Sequence, residues 1–195
     1  MIAIKRVGIF GGTFDPIHFG HIHLLSELSK KIEFNELVVV PSGQPWQKNP
    51  VASKFDRLEM VQIALRDLPV RISNVEVKRE GDSYAIDTVE DIQSEYGPAQ
   101  IIWIAGSDTL SQLKTWHQIE KLAHLVEFLI VKRPNTNVDT TELPKFVNFT
   151  EIEIAALDIS ATQVREAISA KSDTSKLIPA KVAEFIKSKG LYGAA

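Results

Sequence analysis

Short, almost unbroken apolar runs recur along this chain, separated by stretches of helical spacing. Val7-Gly8-Ile9-Phe10, Leu37-Val38-Val39-Val40, Ile101-Ile102-Trp103-Ile104-Ala105 and Phe128-Leu129-Ile130-Val131 contain no polar side chain. A strand with one wet face alternates apolar and polar residues. A strand without a polar face has to be covered on both sides. Between the runs, Lys54 to Leu65 shows helical spacing, with Leu58, Val61, Ile63 and Leu65 as its apolar members, and Tyr84 to Tyr96 reads as a helix stopped by Gly97-Pro98. Ser160 to Ile168 and Pro179 to Ser188 read as further helices. Strands alternating with helices predict an α/β architecture: a doubly wound, mainly parallel sheet with helices on both faces, closed by C-terminal helices. Arg71 to Val77 alternates like a half-exposed strand, Thr115 to Leu122 reads as a short helix, and Phe149 to Ala156 as the last strand.

The 195 residues suit a single domain, 1–195, with a full core. Arg133 to Lys145, with Pro134, Asn135, Thr136 and Asn137, reads as the most mobile loop. A formal net charge of −3 exerts no general pull on nucleic acid or an anionic membrane, so neither partner is expected and any anion site must be local. No cysteine is present, which removes thiolate and disulfide chemistry and fits a reducing compartment. Met1 to Arg6 lack the layout of a signal peptide, and a cytoplasmic location is expected.

Ligands of open parallel sheets sit beyond the carboxyl ends of the strands. The loops after Phe10, Val40, Ala105 and Ala156 are therefore expected to converge on one cleft. The first of them reads Gly11-Gly12-Thr13-Phe14-Asp15-Pro16-Ile17-His18-Phe19-Gly20-His21 and leads into Ile22, Leu24, Leu25 and Leu28, which suit one face of a helix. A strand, a glycine loop and a helix start direct unpaired N–H groups and the positive end of a helix dipole at one spot, which suits phosphate. His18 and His21, about one turn apart, can each offer an N–H donor to a phosphoryl oxygen. No Gly-Lys-Ser/Thr follows the glycines, and the dinucleotide-binding glycine fingerprint is absent. No third ligand or cysteine accompanies the histidines, so a protein-held metal is not expected. His23 is expected to point away from the pair, as a surface or packing residue, and Trp103 to belong to the core.

A second constellation is Ile159-Ser160-Ala161-Thr162-Gln163-Val164-Arg165. Ser160 and Gln163 fit a capping box, and Arg165 in the first turns of that helix could grip a phosphate with its fork. A third is Gly106-Ser107-Asp108-Thr109-Leu110, followed by Thr115-Trp116-His117. A carboxylate at a strand end can accept hydrogen bonds from ribose hydroxyls, and a Trp beside it can stack on a flat heteroaromatic ring or simply pack in the core.

The loop with its H-x-G-H element resembles the nucleotidyltransferase superfamily, and Ile159 to Arg165 resembles that superfamily's I-S-S-T-x-x-R element, with Ala161 in place of the second serine. With Tyr84-Ala85-Ile86-Asp87-Thr88, Gly106-Ser107-Asp108, Thr115-Trp116, Val131-Lys132-Arg133-Pro134 and the ending Leu177-Ile178-Pro179 to Gly190-Leu191-Tyr192, the chain is similar along almost its whole length to the bacterial nicotinate-nucleotide adenylyltransferases. The resemblance implies a Rossmann-like nucleotidyltransferase fold. It also implies transfer of AMP from ATP to nicotinate mononucleotide, giving nicotinate adenine dinucleotide and pyrophosphate by direct attack on the α-phosphorus, with Mg²⁺ arriving on the ATP phosphates.

By the same resemblance His18, His21 and Arg165 act on the reacting phosphates, and polyphosphate beside the imidazoles would favour raised pKa values. Gly11, Gly12, Thr13, Gly20, Gly106, Asp108, Ser160 and Thr162 would contact ATP, with Gly20 leaving room for the adenine. Lys48, Thr88, Trp116, His117 and Arg133 would hold the mononucleotide, Lys48 and Arg133 at its phosphate and Trp116 on its ring. Three departures stand out: Gln44-Pro45-Trp46-Gln47-Lys48 where many members have Pro-Pro-His-Lys, His117 where Tyr is usual, and Ala161. A related adenylyltransferase for phosphopantetheine or nicotinamide mononucleotide, and a non-catalytic nucleotide-binding regulator, stay open as alternatives. The oligomeric state stays open too, a homo-oligomer included.

Overall fold

The first apolar run extends in both directions to become β1 (Lys5–Gly12), flanked in the sheet by the second and third runs, β2 (Glu36–Pro41) and β4 (Ala99–Gly106). This is a computed structural model, and it describes residues 4–134, 141 and 143–194. Outside β2 lies β3, reduced to Arg71–Ile72; outside β4 lie β5 (Val126–Lys132) and β6 (Phe149–Glu153). The order is β3-β2-β1-β4-β5-β6, and every pairing is parallel. The chain winds outward from β1 to one edge, then returns to β4 and winds outward to the other. The order therefore reverses between β1 and β4, where Phe10 pairs with Ile104, and a crevice opens at such a reversal.

Alternate residues of each strand feed two cores. On one face Phe10, Val39, Ile102, Ile104 and Leu129 pack with α1 (Phe19–Lys31), α2 (Lys54–Leu65), α6 (Ala161–Ser169) and α7 (Ala180–Ser188). On the other, Ile9, Val38, Trp103 and Phe128 pack with α4 (Ala85–Tyr96), α5 (Ile119–Leu125) and the 3₁₀ segment Ser107–Thr115. The unbroken apolar runs are thus explained by cover on both faces.

Three elements differ from the sequence reading. The expected strand Arg71 to Val77 pairs only at Arg71 and Ile72, and Val75–Lys78 turns into a short helix, α3. That turn buries Val77 and Glu76 beneath the β2 loop, a tertiary gain that overrides the alternating pattern. The expected helix Thr115 to Leu122 is split at Gln118, which has a left-handed backbone (φ 50°). Most of the expected mobile loop, residues 135–140 and 142, lies outside the described residues.

Arg57 of α2 is only 1% exposed. Its guanidinium donates to three carbonyls: Thr13 after β1 (2.7 Å), Gly43 after β2 (2.8 Å) and Ala52 before α2 (3.3 Å). One planar fork thereby ties together the two loops at the carboxyl ends of the central strands. Arg57→Met would leave these carbonyls unpaired. Breaking a buried network of this kind costs about 3–5 kcal/mol, which lowers the melting temperature of a chain this size by roughly 6–20 °C. Thermal unfolding followed by circular dichroism checks this, and a loss below about 3 °C contradicts the role assigned to Arg57.

Candidate active site

β1 delivers Gly11 and Gly12 to the switch point, and the loop then folds over a buried carboxylate. Asp15 accepts N–H bonds from Val51 (2.7 Å) and Ala52 (3.0 Å), and an O–H bond from Tyr192 (2.7 Å). Its main-chain carbonyl accepts from Arg165 Nη1 (2.7 Å), while Arg165 Nη2 donates to Thr162 Oγ1 (3.1 Å). Ser160 caps α6 by accepting the Gln163 N–H (3.1 Å). The two motifs that lie far apart in sequence therefore meet, with Arg165 docked on the residue that begins the Asp15-Pro16 turn.

His18 ends that turn as the N-cap of α1, and His21 follows one turn later. Their rings are 3.8 Å apart between centroids. The His18 main-chain N–H donates to His21 Nδ1 (3.3 Å), so in the neutral ring the proton sits on Nε2, free to serve as a donor. Phe14 closes the other side of His21, its ring edge-on at 5.0 Å. Desolvation lowers the His18 pKa to about 4. Burial drives His21 well below its ordinary value, and the charges of His18 and Lys48 add to the effect. In the ligand-free protein both values are lowered, because the same packing that positions the rings removes the water that would stabilise their charge; the rise expected from the sequence concerns the rings beside polyphosphate. Gly20 is required for this stack. A Cβ there would lie 2.9 Å from His18 Nδ1.

Two cavities flank the junction. The first, about 210 Å³, is lined by Gly11, Gly12, Thr13, Lys48, Trp46, Glu76, Tyr84, Ala85, Trp103, Trp116 and His117. Trp116 stands edge-on to Trp103 (5.9 Å, 84°), and His117 stacks on Tyr84 (4.3 Å). The second, about 230 Å³, is lined by His18, Gly20, His23, Gly106, Asp108, Arg133, Ala156 and Ile159 among others. The four strand-end loops thus do not form one cleft. Those after β1 and β2 shape the first cavity, that after β6 shapes the second together with the start of α1, and the connection after β4 serves both, with Gly106 to Asp108 in the second and Trp116 and His117 in the first. Ser160, Thr162 and Arg165 line neither cavity and reach the junction through the Asp15 turn.

A cytidylyltransferase-like family model matches residues 9–167. The nicotinate-nucleotide adenylyltransferase of Bacillus subtilis is 35% identical, over 97% of this chain and 99% of its own length. A Corynebacterium glutamicum protein named "probable nicotinate-nucleotide adenylyltransferase" is 38% identical, over 96% of this chain and 88% of its own. The chain belongs to the nicotinate-nucleotide adenylyltransferase family. Its fold is also that of the Plasmodium falciparum nicotinic acid mononucleotide adenylyltransferase complexed with NaAD, at a TM-score of 0.81 and 23% identity, with 98% of each chain covered.

Within this adenylyltransferase three placements correct the sequence reading. Thr88 is fully buried and lines no cavity; its hydroxyl donates to Glu76 Oε1 (2.6 Å), and Ala85, one helical turn earlier, stands at the cavity wall instead. Arg133 lies in the second cavity with His18 and Asp108, apart from Lys48, which lines the first. His23 is not turned away. It lines the second cavity, with Nε2 2.8 Å from the Ala155 carbonyl oxygen.

Sequence reasoning missed Arg57, Glu76 and the carboxylate role of Asp15, because a charged residue in a helical or alternating pattern reads as solvent-facing. Burial raises the pKa of Glu76, and the Thr88 hydroxyl opposes the rise. Gly43 lets Glu76 approach: a Cβ there would lie 2.1 Å from the Glu76 carbonyl oxygen. Among the described residues no cluster of three or more His, Cys, Asp or Glu could hold a metal, and no helix is long and apolar enough to cross a membrane.

The lowered pKa of His18 has a signed consequence. The unfolded chain binds a proton at this ring near pH 6.5 while the folded chain resists it down to about 4. The unfolded state therefore holds more protons in that window, and stability falls as pH drops through it. Denaturant titrations of the ligand-free wild type and His18→Asn should show a free-energy difference that changes by about 3 kcal/mol between pH 7 and pH 4, at the wild type's expense. A difference flat with pH contradicts a buried neutral His18.

Proposed function

We propose that this enzyme joins ATP and nicotinate mononucleotide at the β1–β4 junction, with the mononucleotide in the first cavity and the adenosine in the second. One domain, residues 1–195, would carry both substrates. The supporting observation is that the two ends of one loop line two cavities of different character, Gly11 to Thr13 the first and His18 with Gly20 the second. The first offers a Trp beside a Lys, which suits a pyridine ring carried on a ribose phosphate. The second offers a strand-end carboxylate, Asp108, and the Gly20 backbone, which suit a ribose and an adenine.

In this reading a phosphate oxygen of the mononucleotide attacks the α-phosphorus in line. A new P–O bond forms, the bond to the β-phosphate oxygen breaks, and its electron pair leaves with pyrophosphate. No enzyme nucleophile takes part. Alignment and charge stabilisation carry the rate. His21 Nε2–H, His18 and the guanidinium of Arg165 are the donors for the departing charge, assisted by the N–H groups of the Gly11–Thr13 loop and the start of α1. Thr162 orients Arg165, and Ser160 holds the start of α6. Lys48 meets the incoming phosphate, Trp116 stacks on the ring, and His117 with the buried Glu76 borders the ring's substituent. Arg133 serves the ATP side, and Thr88 acts through Glu76.

Mg²⁺ would supply charge neutralisation on the triphosphate. The Asp15 carboxylate, already holding two N–H groups and one O–H, is not available as its ligand, so the ion would rest on phosphate oxygens and water. Because bound polyphosphate favours imidazolium, ATP binding should take up protons below about pH 6.5.

Pyrophosphate release with ATP and, in turn, nicotinate mononucleotide, nicotinamide mononucleotide and phosphopantetheine tests the substrate reading. Nicotinate mononucleotide should give the highest kcat/KM, and turnover with phosphopantetheine alone would sink the assignment. His21→Ala should lower kcat by roughly 100- to 1000-fold, the usual loss for one transition-state donor, while the fold persists. Unchanged kcat at saturating ATP removes His21 from the mechanism. Trp116→Ala should raise KM for the mononucleotide about tenfold or more and leave KM for ATP near wild type. Equal effects on both contradict stacking.

A further inference from the structure

We propose that Tyr192, near the end of the described chain, is a positioning residue for ATP. It satisfies the Asp15 carboxylate so that Arg165 stays turned toward the triphosphate. The inference rests on the reading of Arg165 as a triphosphate ligand. It begins from the backbone. Tyr192 sits in the short 3₁₀ turn Leu191–Gly193 with a left-handed conformation, φ 57° and ψ 23°. A bulky aromatic residue holds that conformation only where its surroundings demand it. The demand is visible at the far end of the side chain, where the Tyr192 hydroxyl donates to Asp15 Oδ1 at 2.7 Å. The same turn packs on α6, which carries Arg165. A Cβ on Gly193 would lie 3.7 Å from Ser169 Oγ.

The carboxylate of Asp15 is therefore shared out in a specific way. Oδ1 receives Tyr192 O–H and Ala52 N–H, and Oδ2 receives Val51 N–H. Arg165 Nη1 lies 3.9 Å from Oδ2 but donates to the main-chain carbonyl of the same residue at 2.7 Å. The guanidinium thus holds only a long ion pair to the buried carboxylate, while its hydrogen bond goes to the carbonyl. Arg57 directs its three hydrogen bonds to the carbonyls of Thr13, Gly43 and Ala52, away from this carboxylate. The hydroxyl of Tyr192 is the donor whose removal leaves the carboxylate short. A carboxylate short of one hydrogen bond in a half-dry site attracts the nearest cation more strongly. Without the hydroxyl, Arg165 shifts from the carbonyl onto Oδ2, and its fork is drawn away from the phosphates.

Tyr192→Phe removes only that hydroxyl and keeps the ring's packing. Calorimetry with a non-hydrolysable ATP analogue should show binding weakened about tenfold. In turnover, KM for ATP should rise by a similar factor while KM for nicotinate mononucleotide changes less than twofold. Val182→Ala, a core truncation in α7 remote from Asp15, serves as the control. It should lower the melting temperature yet leave analogue affinity within twofold of wild type. Analogue binding unchanged in Tyr192→Phe overturns the proposal. So do equal rises in both KM values, or an affinity loss in Val182→Ala as large as that in Tyr192→Phe, since each marks Tyr192 as a structural anchor alone. A wild type that binds the analogue but releases no pyrophosphate with any mononucleotide overturns the substrate reading, and the Tyr192 comparison still stands on binding. A wild type that binds no triphosphate overturns both.

Discussion

A single buried carboxylate organises the reacting end of this molecule. Asp15 draws together the β1–α1 loop, the segment entering α2, the chain's last turn and the helix that bears Arg165. Burying a negative charge is costly unless its lone pairs are filled, and here two amides and a hydroxyl fill them. The hub is effective because of how far apart its partners lie in sequence. Loop closure on this scale costs conformational entropy, and the charge-assisted bonds recover it only when all partners arrive together. Arg57 plays the matching positive role on the other side of the loop, gripping carbonyls instead of amides.

The strand order converts that anchored loop into a two-sided site. Because β1 and β4 are neighbours and the chain winds away from them in opposite directions, the carboxyl ends of β1 and β4 have empty space on both faces of the sheet. One space lies against the start of α4 and is walled by Trp103 and Trp116. The other lies against α1 and the end of β6 and is walled by His18 and Asp108. A reaction that joins two nucleotides through their phosphates suits this layout. In the proposed reaction each nucleoside would occupy its own face, and the phosphates would meet over the strand ends, where the backbone N–H groups of the loop and α1 are directed.

Electrostatically the ligand-free site is held short of positive charge. His18 and His21 are packed against each other and against Phe14, and both stay neutral at physiological pH. Lys48 contributes to keeping His21 neutral. In the proposed reaction a polyphosphate bound beside these rings would reverse the balance, since the anion stabilises the imidazolium that burial disfavours.

Much of this was legible in the residues alone. Local hydrophobic pattern determined the parallel, doubly covered sheet, because a strand without a polar face admits no other burial. The glycine loop and the capped, Arg-bearing helix were likewise readable, since backbone geometry at a helix start is a local property. What the sequence could not determine was any feature that depends on which buried partner a charged side chain meets. Arg57, Glu76 and Asp15 look like surface residues in their own segments and become interior anchors only once strands from different parts of the chain are side by side. Thr88 left its expected place for the same reason: helical spacing gives a face, but the packing of α4 on β4 and α3 decides which turn reaches the cavity. Tertiary structure also lowered the histidine pKa values and divided one expected cleft in two, because desolvation and the placement of strand ends on opposite faces are properties of the assembled sheet and of no single stretch of it.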